Sequence, residues 1–95
     1  MVIFGQKIKV VREKGLGQRT GLAGYYDPAK GLIAVDAELK GNEFNQTVLH
    51  EFFHAVFIRV GLPQARVSHD AHEMIVENFA TAMIENKTHI KKYLK

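Results

Sequence analysis

The hydrophobic period of this chain changes once, near residue 42, and that change limits what it can fold into. Beyond it, Leu49, Phe53, Val56, Phe57 and Val60 recur at intervals of three and four, the spacing that lines up side chains on one face of an α-helix. Asn42 or Asn45 is available as N-cap, Gly61 is placed to follow the last turn, and Pro63 stands just beyond; the pattern predicts a helix over about 43–60. A second helix is expected over about 70–87. Asp70 would cap it, with Glu73 three residues on as in a capping box, and Ile75, Phe79, Ala82 and Met83 would carry its apolar stripe. A short C-terminal helical tail should follow.

Before the change, over about 1–40, the chain reads as sheet. "KIKVVRE" at 7–13 has the β-branched residues of a strand, and "GLGQRTGLAG" at 15–24 reads as a flexible loop. "AGYYD" and "GLIAVD" read as two strands joined through "DPAKG", a hairpin signal. The loop glycines do not fit G-x-G-x-x-G and no amphipathic helix follows them at once, which argues against a phosphate cradle. Ninety-five residues at 46% apolar content suffice for one core and not for two. The expected architecture is a single α+β domain over 1–95, a small antiparallel β-sheet packed on two helices.

Net charge adds little. The excess of 13 Lys and Arg over 10 Asp and Glu is scattered except in "KTHIKKYLK" at 87–95, where lysines complement a helix C-terminus and only Tyr93 could stack on a base. Nucleic acid is therefore a disfavoured partner; a third reading is a nucleic-acid or partner-protein adaptor binding through Lys91, Lys92 and Lys95. No apolar run of about 18 residues predicts a membrane span, and "MVIFGQKIKV" lacks the features of a signal peptide, so a cytoplasmic location is expected. Because the chain has no cysteine, a transition metal could be held only by imidazole and carboxylate.

Such ligands stand in the first helix. His50, Glu51 and His54 spell H-E-x-x-H. Residues i and i+4 lie about 5–6 Å apart on one helix face, so both imidazoles can reach one ion. Glu51 is turned roughly 100° from His50 and can address a water on the metal as general base. The stripe of Leu49, Phe53, Val56 and Val60 places the two histidines on the flank of the buried face, at the edge of the core.

With "TVLHEFFHAVF" followed by "HEMIVENFATAMIEN", the chain resembles the small zincin-type metallopeptidase domains of phage and prophage proteins, gluzincin-like in arrangement, over residues 24–86. Those domains carry H-E-x-x-H-A on one helix and, on the next, a glutamate followed three residues later by a valine. The resemblance implies one zinc ion (Zn2+), a peptide or protein substrate, and a setting in the host cytoplasm if the protein is phage-encoded. Glu73, nineteen residues beyond His54, matches the third ligand of that pattern. Glu77 falls where thermolysin-like enzymes place an acid that hydrogen-bonds a ligand histidine. His69, fifteen residues beyond His54, matches the spacing of the SprT-like peptidases, but the glycine and aromatic that should follow it are missing. His72, between Val76 and Phe79 on the helical wheel, is the remaining candidate. Each has a plainer role open to it: Glu73 in the capping box, Glu77 on a solvated face, His69 in a loop, His72 in the core.

The expected function is a zinc-dependent metallopeptidase-like hydrolase. His50, His54 and Glu73 would hold the ion, water would take the fourth position, and Glu51 would act as base. His69, His72, Tyr25, Tyr26 or Tyr93 could face the oxyanion, and the strand "GLIAVD" could line the cleft and pair with an extended peptide. The rival is a non-catalytic binding or adaptor domain stabilised by zinc, in which His69 closes a four-ligand site.

Overall fold

The computed structural model describes residues 1–59 and 68–93. It opens with a short antiparallel hairpin, β1 (Val2–Ile3) and β2 (Gln6–Lys7). Its side of the core is filled by Ile3 and by Ile8 just after it. Then come β3 (Lys9–Glu13), a short helix α1 (Leu16–Thr20), β4 (Gly24–Asp27) and β5 (Leu32–Asp36). The expected strand at 7–13 is thus divided between β2 and β3. The glycine-dense stretch is not wholly loop either: Gly15 and Gly21, both at φ 73°, bound α1, whose first residue, Leu16, is buried. Left-handed glycines that read as flexibility are here the two ends of a helix.

The hairpin between β4 and β5 forms as its turn residues predict. Asp27 Oδ1 accepts from the N–H groups of Ala29 and Lys30 at 3.0 and 3.2 Å, an Asx turn that reverses the chain. The main sheet is mixed, however, and not simply antiparallel. Its order is β3-β5-β4, with β4 antiparallel to β5 and β3 parallel to it, Val11 opposite Ala34. The cause lies in β5, whose Ile33, Ala34 and Val35 are 0% exposed. A near-continuous apolar run belongs at the centre of a sheet, with a neighbour on each edge. The hairpin supplies one neighbour, and the excursion through α1 lets β3 take the other in parallel.

A side-chain bridge crosses this sheet. The Tyr25 hydroxyl on β4 donates to Glu13 Oε1 on β3 at 3.0 Å, and Arg19 of α1 pairs with the other oxygen of Glu13. Ala34, lying between Tyr25 and Val11 in the register, is small where the bridge passes. The Arg19 bond, and then that of Tyr25, holds the Glu13 carboxyl below its usual range, while the same contact pushes the Tyr25 phenol up.

Two long helices complete the α+β domain. The first, α2 (Gly41–Arg59), begins before either asparagine could cap it, so Asn42 and Asn45 lie within it. Its apolar face lies on the sheet: Ala55 joins Ile3, Ile8, Ile33 and Val35, with Phe44, Val48, Phe52 and Val56 around them. The second, α3 (His69–Tyr93), runs antiparallel along α2, with Val76 and Ala80 fully buried. Its cap is Ser68, not Asp70: Ser68 Oγ accepts from the Ala71 N–H at 3.1 Å, and its carbonyl from the His72 N–H at 2.9 Å. Asp70 lies in the first turn and Glu73 points elsewhere. Nor does α3 stop near residue 87 with a separate tail beyond. Asn86 does not terminate it; its side chain donates back to the Ala82 carbonyl at 2.9 Å, and Lys87 reaches Asn42 of α2 at 3.4 Å. Val60, Gly61 and Pro63, expected to end α2, and Lys95 lie outside the described residues. Among the described residues, no helix is long and apolar enough to cross a membrane.

Candidate metal centre

The antiparallel packing of α2 on α3 sets two series of residues, each at intervals of four, against one another: Gln46, His50 and His54 on α2, and Glu73, Glu77 and Thr81 on α3. Polar groups at this spacing share a helix face, so donors and acceptors meet like rungs of a ladder. His54 Nε2 lies 2.9 Å from Glu73 Oε1, and His50 Nε2 lies 3.3 Å from Glu73 Oε2. The two Nε2 atoms are 3.1 Å apart.

These separations are near what a metal would ask of the three groups, the two short contacts with Glu73 ending on different oxygens of its carboxylate. Zinc bonds of roughly 2.0–2.1 Å at a tetrahedral angle put any two donor atoms about 3.3 Å from each other. His50, His54 and Glu73 offer one atom apiece, all within 4.8 Å of one another, so they could hold an ion with small adjustments. All three are only partly buried.

Glu77 stands where an orienting acid is needed. Its Oε2 lies 2.7 Å from His50 Nδ1. A carboxylate can only accept, so this contact favours the proton on Nδ1, which in the neutral imidazole leaves the Nε2 lone pair for a ligand bond. Glu77 in turn accepts from Gln46 Nε2 at 3.1 Å, and the same amide reaches Thr81 Oγ1 at 3.0 Å. Gln46 was not singled out from the sequence. The available clue was its place one turn before His50.

Glu51 lies beside this group at 8% exposure, the one buried charged residue among those described. Burial pushes its carboxyl pKa up; the nearby His50 opposes the rise and Glu73 adds to it. The close wall is β4. A Cβ on Gly24 would come within 2.8 Å of the Ala34 carbonyl, 2.9 Å of Thr47 Cγ2 and 3.5 Å of Glu51 Cγ, so only glycine lets the strand approach α2 this closely. Burial also lowers the pKa of His54, against the pull of Glu73, which favours the neutral imidazole that binds metals.

The remaining candidates are sorted by position. His69 is the exposed first residue of α3 and is not one of the convergent group. His72 is also outside it: its ring packs edge-on against His54 at 4.9 Å and beside Phe57 at 5.4 Å, and its Nε2 is buried without a partner. The Tyr25 hydroxyl is engaged by Glu13. Tyr26 lines the cleft, with its hydroxyl buried and unpartnered; the Tyr93 side chain lies outside what is described.

The three metal-binding candidates and Glu51 open into a cleft of about 610 Å3 between β4 and the helices, with Leu22 and Ile58 also on its walls. The strand that borders it is β4, not "GLIAVD". β5 is central, with both edges already paired, and has no backbone left for a peptide. β4 has a free edge. Because the Asp36 N–H donates to the Ala23 carbonyl at 2.8 Å, the antiparallel alternation turns the backbone groups of Gly24 and Tyr26 away from β5, toward that edge.

No family model matches the chain, and neither a curated protein nor a solved structure does.

Proposed function

We propose that the protein is a zinc-dependent hydrolase of the metallopeptidase type, acting on peptide bonds in extended segments of peptides or proteins. The observation that carries this reading is the convergence of His50 Nε2, His54 Nε2 and the Glu73 carboxylate at ligand-to-ligand distances, beside a shielded Glu51 and facing an open cleft. The resemblance of the H-E-x-x-H and Glu73 segments to small phage-type zincin domains agrees with it.

His50, His54 and Glu73 would hold the ion. Zinc there would supply Lewis acidity, easing loss of a proton from water and polarising a carbonyl. Glu51, its proton affinity raised by burial, takes the proton of the attacking water and later delivers it to the leaving amine. Glu77 keeps His50 in the ligating tautomer. The outward backbone groups of Gly24 and Tyr26 hold an extended chain alongside β4 by strand addition.

The test is hydrolysis of an unfolded protein or a mixed peptide pool by the zinc-loaded protein and by Glu51→Gln. Cleavage by the wild type, lost in Glu51→Gln while zinc content is retained, is the expected result. Zinc binding with no cleavage by either protein contradicts the enzymatic reading and favours a zinc-stabilised binding or adaptor domain.

A further inference from the structure

We infer that Gln46 is a positioning residue of the metal centre, setting the affinity of His50 for the ion by acting through Glu77. The inference rests on the metal-site reading given above and extends it by one layer. Glu77 has a side chain 53% exposed. A carboxylate that open, on a flexible stem, would spend much of its time in water and leave the Nδ1–H of His50 without a fixed acceptor. Gln46 removes that freedom. Its amide nitrogen carries two hydrogens and meets two acceptors, Glu77 Oε1 at 3.1 Å and Thr81 Oγ1 at 3.0 Å. With Oε1 so held, Oε2 faces His50 Nδ1 at 2.7 Å.

Thr81 orients the amide as well. It offers an acceptor one helical turn beyond Glu77, so the two carbons that carry the acceptors are fixed by one helix and the donor by the other. Gln46 thus ties the ligand helix to the helix that supplies both the third ligand and the orienting acid. Loss of its amide should release Glu77, let His50 exchange between its two neutral tautomers, and lower the fraction with Nε2 free to bind.

The experiment pairs two readouts on wild type, Gln46→Ala, Gln46→Glu, Glu77→Ala and the Gln46→Ala/Glu77→Ala double variant. Zn2+ affinity is measured by competition with a chromophoric chelator. The His50 tautomer is read in the metal-free proteins by long-range proton–nitrogen NMR. Loss of an outer partner of a ligand histidine weakens metal binding about 10–100-fold. Glu77→Ala should fall in that range and Gln46→Ala near its lower end. Gln46→Glu, of the same length but without the donor, should weaken binding at least as much. The double variant should match Glu77→Ala alone, because a residue acting only through Glu77 has nothing left to act on. In the metal-free proteins His50 should be Nδ1–H in wild type and a mixture in Gln46→Ala. Equal, multiplying losses in the double variant, or an unchanged tautomer in Gln46→Ala, would overturn the inference. A wild type that binds no zinc would sink the metal-site reading instead, and the tautomer measurement would still decide the role of Gln46.

Discussion

Replacing Gly24 by alanine puts a methyl group where β4 and α2 touch, and the structure sets its cost. Carbon atoms in contact rest about 3.5–4.0 Å apart, whereas the new Cβ would stand 2.9 Å from Thr47 Cγ2 and 2.8 Å from the Ala34 carbonyl. Neither neighbour yields easily. Thr47 is held by its hydroxyl, which donates to the Glu43 carbonyl at 2.9 Å, and Ala34 belongs to the backbone of the central strand. Relief must come from moving β4 off the helix. Overpacking of this kind costs about 1–3 kcal/mol, and alanine recovers roughly 0.4–1 kcal/mol by restricting the unfolded chain, leaving a net loss centred near ~1.3 kcal/mol. Urea denaturation reads this as a midpoint lowered by the order of 1 M at unchanged slope. Hydrolysis should fall further than zinc affinity, because the proposed ligands lie on the α2–α3 face whereas Glu51 packs beneath Gly24. A midpoint equal to or above that of the wild type would mean that β4 and α2 are not in close contact, and the account of how Glu51 is buried would fail with it.

Other perturbations test other parts of the argument. Burial raises the folded-state pKa of Glu51 above its unfolded value, so its protonated form favours folding. In the metal-free protein that stability is present below the usual carboxylate pKa and is lost as pH rises through the folded value. Glu51→Gln should flatten this limb of a stability–pH curve measured by chemical denaturation, and an unchanged curve would remove Glu51 as its source. Ser68→Ala deletes the N-cap of α3 and should cost about 1 kcal/mol by the same method. Asp70→Ala should cost less than Ser68→Ala; the reverse order would restore Asp70 as the cap.

What could be read in advance follows the reach of each signal. H-E-x-x-H was legible because both histidines and the glutamate depend on one helix, and the helical period of Leu49, Phe53 and Val56 marks that helix from local residues alone. The β4–β5 hairpin was legible for the same reason, through its Asp27 turn. The strand at β3 was legible but its parallel pairing was not, since its partner lies about twenty residues away and strand choice depends on which strand must be buried on both faces. The end of α3 was misplaced because the apolar stripe from Ile75 to Met83 fades there, whereas the helix runs on to Tyr93 with contacts such as Lys87 to Asn42 of α2 that exist only in the fold. Glu73 was reached through resemblance; its distances to both histidines come from the packing of α2 on α3. Gly24 carries no sequence mark of its role and Gln46 only its place one turn before His50; both roles exist only once the sheet and the second helix are in place.

The central claim is that His50, His54 and Glu73 form one metal site, and anomalous diffraction at the zinc edge from a zinc-soaked crystal tests it most directly. The account predicts a single strong peak between α2 and α3, within bonding distance of His50 Nε2, His54 Nε2 and the Glu73 carboxylate, with its fourth position open to the cleft. No peak there, or a peak closed by His69 or centred on His72, would contradict it.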